Sequence, residues 1–193
     1  MVVTGRNFVS VMQPLKDTGL VCDYVVSSGA VIRNPQKEIV LSIDMGFDEC
    51  EYLYNQLKKH PIGILFCSEE MNHILGTHEE VVLQEIKKEL VKNENLAVSS
   101  SLKTNLEVTH VRAQKGPILK QYIESLGYSM DEVMVLGDSL NDLSMMKMDF
   151  GATIAMENAD EEIKRVAKYI TKSNEDDGVA YVIDEMLKMY GLE

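Results

Sequence analysis

Two carboxylates and an amide crowd into Gly137-Asp138-Ser139-Leu140-Asn141-Asp142, directly after the apolar run Val133-Met134-Val135-Leu136. Such a run predicts a buried strand, and the carboxyl edge of an open α/β sheet is where ligands bind. Asp and Asn offer hard oxygen donors, which suit Mg²⁺ better than a soft metal. Asp138 and Asp142 are therefore candidate metal ligands, with Asn141 placed to hold a ligand or to orient a carboxylate. A plainer reading competes with this one, because Asp or Ser after a strand commonly caps the next helix. An isolated Gly-Asp would favour the cap. The full Gly-Asp-x-x-Asn-Asp crowds oxygen-bearing side chains into one turn, and a shared cation would relieve that crowding.

Two weaker signals accompany it. Val2-Val3 reads as the end of a strand, and Thr4-Gly5-Arg6 follows as a small polar turn leading into a helix. A hydroxyl with backbone N–H groups there can cradle an anion, although Thr-Gly is also an ordinary turn. Lys115-Gly116 opens a helical segment, where a lysine can neutralise phosphoryl charge as a point cation or simply be a solvated surface charge.

The elements that position these groups follow from periodicity. From residue 115 the pattern alternates helix (118–126), strand (133–136), helix (140–148), strand (152–155), helix (161–167), short strand (169–170) and helix (179–189), which predicts a parallel sheet covered on both faces. Before it, helical spacing covers 47–59 and 79–92, and β-rich runs cover 24–26, 31–32, 39–43, 62–67, 96–98 and 106–109. The expected fold class is α/β: a core of residues 1–32 with 111–193, carrying an inserted α+β segment at 33–110.

Bulk properties exclude several function classes. The 193 residues carry a net charge of -12, which disfavours nucleic acid and anionic membrane surfaces. No apolar run approaches the roughly 18 residues of a membrane span, and no secretory leader is visible at the start. Cys22, Cys50 and Cys67 are odd in number and lack a Cys-x-x-Cys pair, as expected of reduced thiols in a cytoplasmic protein. His60, His73, His78 and His110 show no metal-ligand spacing, and the 12 methionines fall mostly on amphipathic faces.

The order of these signals resembles the haloacid dehalogenase superfamily, in its Cof-type sugar-phosphatase branch. Hydroxyl turn, long insertion, Lys-Gly and Gly-Asp-x-x-Asn-Asp match that family's second, third and fourth motifs. Ala155-Met156-Glu157-Asn158-Ala159 and Asn174-Glu175-Asp176-Asp177-Gly178-Val179 resemble two further family stretches, while Ser28-Gly29-Ala30 stands where the family usually has Asn-Gly-Ala. The resemblance implies a Rossmannoid parallel-sheet core with a cap inserted at 33–110, and Mg²⁺-dependent hydrolysis of a small phosphorylated metabolite such as a sugar phosphate. It further implies that Thr4 hydrogen-bonds the phosphoryl group and that Lys115 holds its charge. Gly5 and Arg6 would complete that loop, and Asp138 with Asp142 would bind Mg²⁺.

The family's nucleophile lies in an Asp-x-Asp-Gly-Thr segment on a strand that should precede Thr4 and lie mid-sheet. No Asp-x-Asp occurs in these 193 residues. The expectation is a chain inactive as written, with the strand gap closed by direct pairing of its neighbours, by a second chain in a homo-oligomer, or by a rearranged amino terminus. The alternative is a non-catalytic protein that binds a phosphometabolite or metal. A response-regulator-like or dinucleotide-binding domain is a third possibility, weakened by the absence of Gly-x-Gly-x-x-Gly after a strand.

Overall fold

The structure is a computed structural model that describes residues 1–67, 72–75, 80–101 and 104–191. The chain falls into two compact units, Met1–Ile118 and Leu119–Glu193.

In the first unit, β1 (Val2–Val3) leads through a short loop to α1 (Phe8–Leu15), followed by β2 (Tyr24–Val26), β3 (Val31–Arg33) and β4 (Ile39–Ser42). Asn7 starts α1 by accepting the Ser10 N–H on its side-chain oxygen at 3.0 Å, an ordinary N-cap. The sheet order is β1-β2-β3-β4. β1 and β2 are parallel, with Val2 opposite Tyr24, and the remaining pairs are antiparallel. Val11, Tyr24, Val26 and Val31 form its buried centre, with Phe8, Met12 and Leu15 packed against them. The Phe8 ring meets Tyr24 edge-on at 5.6 Å, the geometry that aromatic quadrupoles favour.

The rest of this unit comprises α2 (Phe47–Leu57), β5 (Ile64–Cys67), β6 (Asn72–Leu75), α3 (Glu80–Leu90), β7 (Leu96–Ser99), β8 (Glu107–His110) and the first residues of α4 (Lys115–Ser125). Leu53 of α2, Ile86 and Leu90 of α3, and Leu96 of β7 share one buried cluster, so the helical spacing seen in the sequence corresponds to a shared core. β5 falls within the strand expected at 62–67, whereas its antiparallel partner β6 was not among the expected elements. The expected helix start at Glu79, and His78, lie outside the described residues.

The second unit contains β9 (Met134–Gly137), α5 (Leu143–Met146), β10 (Ala152–Ala155), α6 (Glu161–Val166), β11 (Tyr169–Ile170) and α7 (Gly178–Tyr190). Its sheet, in the order β11-β10-β9, is wholly parallel, as the alternation predicted. Every residue of β10 is buried, which explains why Ala-Thr-Ile-Ala shows no alternation.

Two expectations change. The single helix expected over 140–148 is a tight 3₁₀ turn at Leu140–Asp142 followed by the one-turn α5. The turn is tight because the Asp142 side chain folds back onto the backbone before it. Direct pairing of β1 with β9 is not observed: among the described residues, β1 pairs with β2 and β9 with β10, and no ladder joins the two sheets.

Candidate functional site

Sequence-predicted residues occur in both units, and each group is described within its own unit. In the second unit, Gly137 ends β9 and Asp138 is exposed just beyond it, at the carboxyl edge of the parallel sheet. Asp142 is buried beneath the same loop at 6 % exposure. Its Oδ2 accepts the N–H groups of Asp138 at 3.1 Å and Ser139 at 3.3 Å. Ser139 and Asp142 thereby form a reciprocal capping box around the 3₁₀ turn. Gly137 is required by this fold-back: a Cβ there would lie 2.7 Å from the Asp142 Cβ.

The two aspartates are therefore unlike. The Asp142 charge is partly met by backbone N–H groups, which supply some of what the crowding of carboxylates was expected to require from a cation. Asp138 faces solvent, and its Oδ1 accepts the Ser139 hydroxyl at 3.1 Å. Ser139, singled out in the sequence only as a possible cap, thus both braces the turn and orients the Asp138 carboxylate.

Neighbouring strand ends hold this loop. The Asp138 carbonyl accepts from Asp160 N–H at 2.8 Å, and the Gly137 carbonyl from Met156 N–H at 3.1 Å. The Met156–Ala159 loop is in turn tied to the next one, where Asn174 N–H donates to Asn158 Oδ1 at 2.9 Å. Thr171, buried, donates its hydroxyl to the Gly178 carbonyl at 2.8 Å. Asn158 and Gly178 stand in stretches noted for resemblance alone; their work here is to brace the carboxyl edge of the sheet.

The donor set fits Mg²⁺ in type. Mg²⁺ is commonly held by one or two carboxylates while keeping waters and substrate phosphate oxygens, and Asp138, Asp142 and Asn141 provide oxygens of that kind. Among the described residues, no three His, Cys, Asp or Glu side chains cluster as an all-protein metal cage. Cys22 and Cys50 are free thiols, and burial pushes the Cys50 thiol above its ordinary range, with Glu49 adding to it.

In the first unit, the Thr4–Arg6 turn leaves β1. Thr4 Oγ1 accepts the Arg6 N–H at 3.2 Å, so the hydroxyl organises the turn whose N–H groups were expected to form the anion cradle. The Thr4 and Arg6 carbonyls accept the N–H groups of Ser28 at 3.1 Å and Ser27 at 2.8 Å. Both serines have left-handed backbones, φ 56° and 52°, a conformation disfavoured for residues other than glycine. Gly29 follows at φ 100° and presses on the start of α4: a Cβ there would lie 2.8 Å from the Gln114 carbonyl carbon and 2.9 Å from the Lys115 nitrogen. Lys115 is buried at 4 % exposure, which removes the reading of it as a solvated surface charge. The structure thus brings Thr4, Gly5, Arg6 and Lys115 to one end of the first unit through the Ser27–Gly29 turn.

Comparison with known proteins bears on both groups. A model of the haloacid dehalogenase-like hydrolase family matches residues 1–71 and 67–183. A 5-amino-6-(5-phospho-D-ribitylamino)uracil phosphatase of Bacillus subtilis (strain 168) is 41% identical over 201 residues, covering 95% of this chain and 80% of that protein. A putative phosphatase of the same organism is 28% identical over 228 residues, covering 95% of this chain and 84% of its own length. Among solved structures, a haloacid dehalogenase-like hydrolase from B. subtilis superposes with a TM-score of 0.85 at 22% identity, over 95% of this chain and 86% of that one. A subclass IIB sugar phosphatase superposes at 0.81 with 20% identity, over 100% and 85%; at such identities the likeness concerns the fold.

Proposed function

The chain belongs to the haloacid dehalogenase-like hydrolases, and from that premise we propose that it binds small phosphorylated metabolites as a Mg²⁺-dependent phosphatase of the Cof type. The observation that carries this reading is the exposed Asp138 carboxylate at the carboxyl end of β9, on a loop that buried Asp142 fixes in place. Asp138 would hold the ion, with Asp142 and Asn141 orienting the loop around it. When bound, Mg²⁺ would offset charge on the phosphoryl oxygens. Lys115, itself buried, would add a fixed cation. Thr4 Oγ1, Gly5 N–H and Arg6 would contact a phosphoryl group, and residues 33–110 would act as the cap that selects the ester.

Catalysis of this class also needs an attacking carboxylate, and the 193 residues hold no Asp-x-Asp. A polypeptide of this sequence alone is therefore expected to bind and orient a phosphate ester with little turnover. The second reading, favoured by the retained Thr4, Lys115, Asp138 and Asp142, is a binding or regulatory protein that uses the cradle without hydrolysis. Among the described residues no helix is long and apolar enough to cross a membrane.

The test is Mg²⁺-dependent hydrolysis of an aryl phosphate, and of 5-amino-6-(5-phospho-D-ribitylamino)uracil by analogy with the Bacillus relative. It compares the 193-residue chain with a version carrying a strand that ends in Asp-x-Asp-Gly-Thr fused ahead of Met1. Turnover confined to the fused version, and lost on Asp138→Ala, supports the phosphatase. Turnover by the 193-residue chain itself would refute the expectation of inactivity. Ester binding without turnover by the fused version would favour the binder.

A further inference from the structure

We propose that Ser28 and Glu107 form a positioning clamp that sets the Thr4–Arg6 turn and Lys115 at their working separation; this rests on the phosphate-binding role just assigned to those residues. The Ser28 hydroxyl donates to Glu107 Oε2 at 2.6 Å, across 79 positions of sequence. Ser28 is buried at 8 % exposure, and all groups concerned lie in the first unit.

Ser28, with its neighbour Gly29, therefore touches three parts of the half-site. Its N–H holds the Thr4 carbonyl, which fixes the turn leaving β1. Its neighbour Gly29 abuts the Gln114 and Lys115 backbone, which fixes where α4 begins. Its hydroxyl holds Glu107, on the strand that runs into the Lys115 loop. That loop is itself closed, with Thr109 Oγ1 donating to the Ala113 carbonyl at 2.9 Å and Ala113 N–H to the His110 carbonyl at 2.8 Å. Position 107 therefore reports, through a short and rigid path, on where Lys115 sits.

The backbone gives a second, independent sign. Ser27 and Ser28 both adopt positive φ where Asn or Gly would be easier. Backbone held in such a state persists only when its surroundings determine it, and it gathers at functional positions. Here the determining contacts are the bonds to Thr4, Arg6 and Glu107. Neither Ser28 nor Glu107 is assigned contact with a phosphoryl group; they act through Thr4 and Lys115.

The experiment uses the 193-residue chain with inorganic phosphate as probe. Phosphate affinity is measured by titration calorimetry, and amide exchange is followed at Ser27 and at Ile118, whose N–H closes the first turn of α4 on Gln114 at 3.2 Å. Ser28→Ala and Glu107→Ala should each weaken phosphate about tenfold, and the double variant no more than either, because both remove one bond. They should also speed exchange at Ser27 and Ile118 together. Ser28→Asn, which suits positive φ and keeps an N–H donor, and Glu107→Gln, which keeps the acceptor, should hold affinity within about threefold, whereas general destabilisation would not be rescued in this pattern. Phosphate binding that is lost on Lys115→Ala but kept on Ser28→Ala leaves the function standing and overturns the clamp alone. A wild-type chain that binds no phosphate overturns the functional reading and the positioning role with it.

Discussion

The loop at Gly137–Asp142 and the turn at Ser27–Gly29 reach a similar end by opposite means. In the first, the side-chain bonds that close the turn run over at most four residues, Asp142 to the N–H groups of Asp138 and Ser139, and Ser139 to Asp138, with the Asp160 and Met156 N–H groups added from the next strand end. In the second, the turn is shaped by Thr4 and Arg6 on one side, and on the other by Glu107, Gln114 and Lys115, which are far along the chain. A local device can form as soon as its strand does. A device assembled from distant segments exists only in the folded unit, and can relax only if that unit moves.

The contrast predicts different costs for the same mutation. Gly29→Ala puts a methyl against backbone at 2.8–2.9 Å in a left-handed conformation, and neither backbone segment can swing away. A loss of roughly 3 kcal/mol or more is expected in urea unfolding, with phosphate affinity falling alongside. Gly137→Ala meets the Asp142 Cβ at 2.7 Å, an atom that moves only with its own backbone, so the short 3₁₀ turn must shift and the capping box is lost, but no left-handed backbone is required of the new residue. A smaller loss, about 1–2 kcal/mol, is expected. Equal losses at the two glycines would break the distinction between distant and local construction. Asp142→Asn keeps an acceptor for only part of the box and should cost less again, about 1 kcal/mol, and calorimetry should also show Mg²⁺ bound more weakly if Asp142 contributes to the ion's surroundings.

The same contrast explains what could be read from the sequence. The Gly-Asp-x-x-Asn-Asp stretch, the parallel order of β9, β10 and β11, and the amphipathic α2 and α3 are patterns of neighbours, so composition and spacing expose them. Asp142 was recognisable as part of the loop, but whether its carboxylate served a cation or the backbone depended on how tightly the turn closed. The partnership of Ser28 with Glu107 left no periodic trace, because each residue is ordinary in its own surroundings. A weak signal did exist: Ser28 stands where the family usually has Asn, a residue at ease with the positive φ found there. Lys115 had an ambiguous reading for the same reason, since burial at a helix start is decided by what packs on it. The strand β6 was missed because Asn72–Leu75 is short and has only one pair of strongly apolar residues. Pairing of β1 with β9 was one of three closures expected from the cost of open strand edges, and it is the one the strand order does not show.

A last test asks whether solvent-facing charge adds to such backbone ties at all. Lys168 Nζ donates both to Asp149 Oδ1, at 2.9 Å, and to the Phe150 carbonyl, so an exposed ion pair and a backbone bond share one ammonium. The hydrogen bond and charge of Lys168 hold the Asp149 carboxyl below its ordinary value of 3.8. A carboxyl whose folded pKa is depressed contributes stability above its unfolded value and loses it as pH falls through the folded one. The stability difference between wild type and Lys168→Met should therefore be level from pH 7 to about 5 and shrink below 3.8. Salt should shrink it too if the ion pair is responsible, because exposed charges are screened. Asp149 is itself largely in solvent, its side chain 94% exposed, so its share is expected to be the smallest of the four effects. A difference indifferent to both pH and salt would assign the whole contribution to the bond with the Phe150 carbonyl.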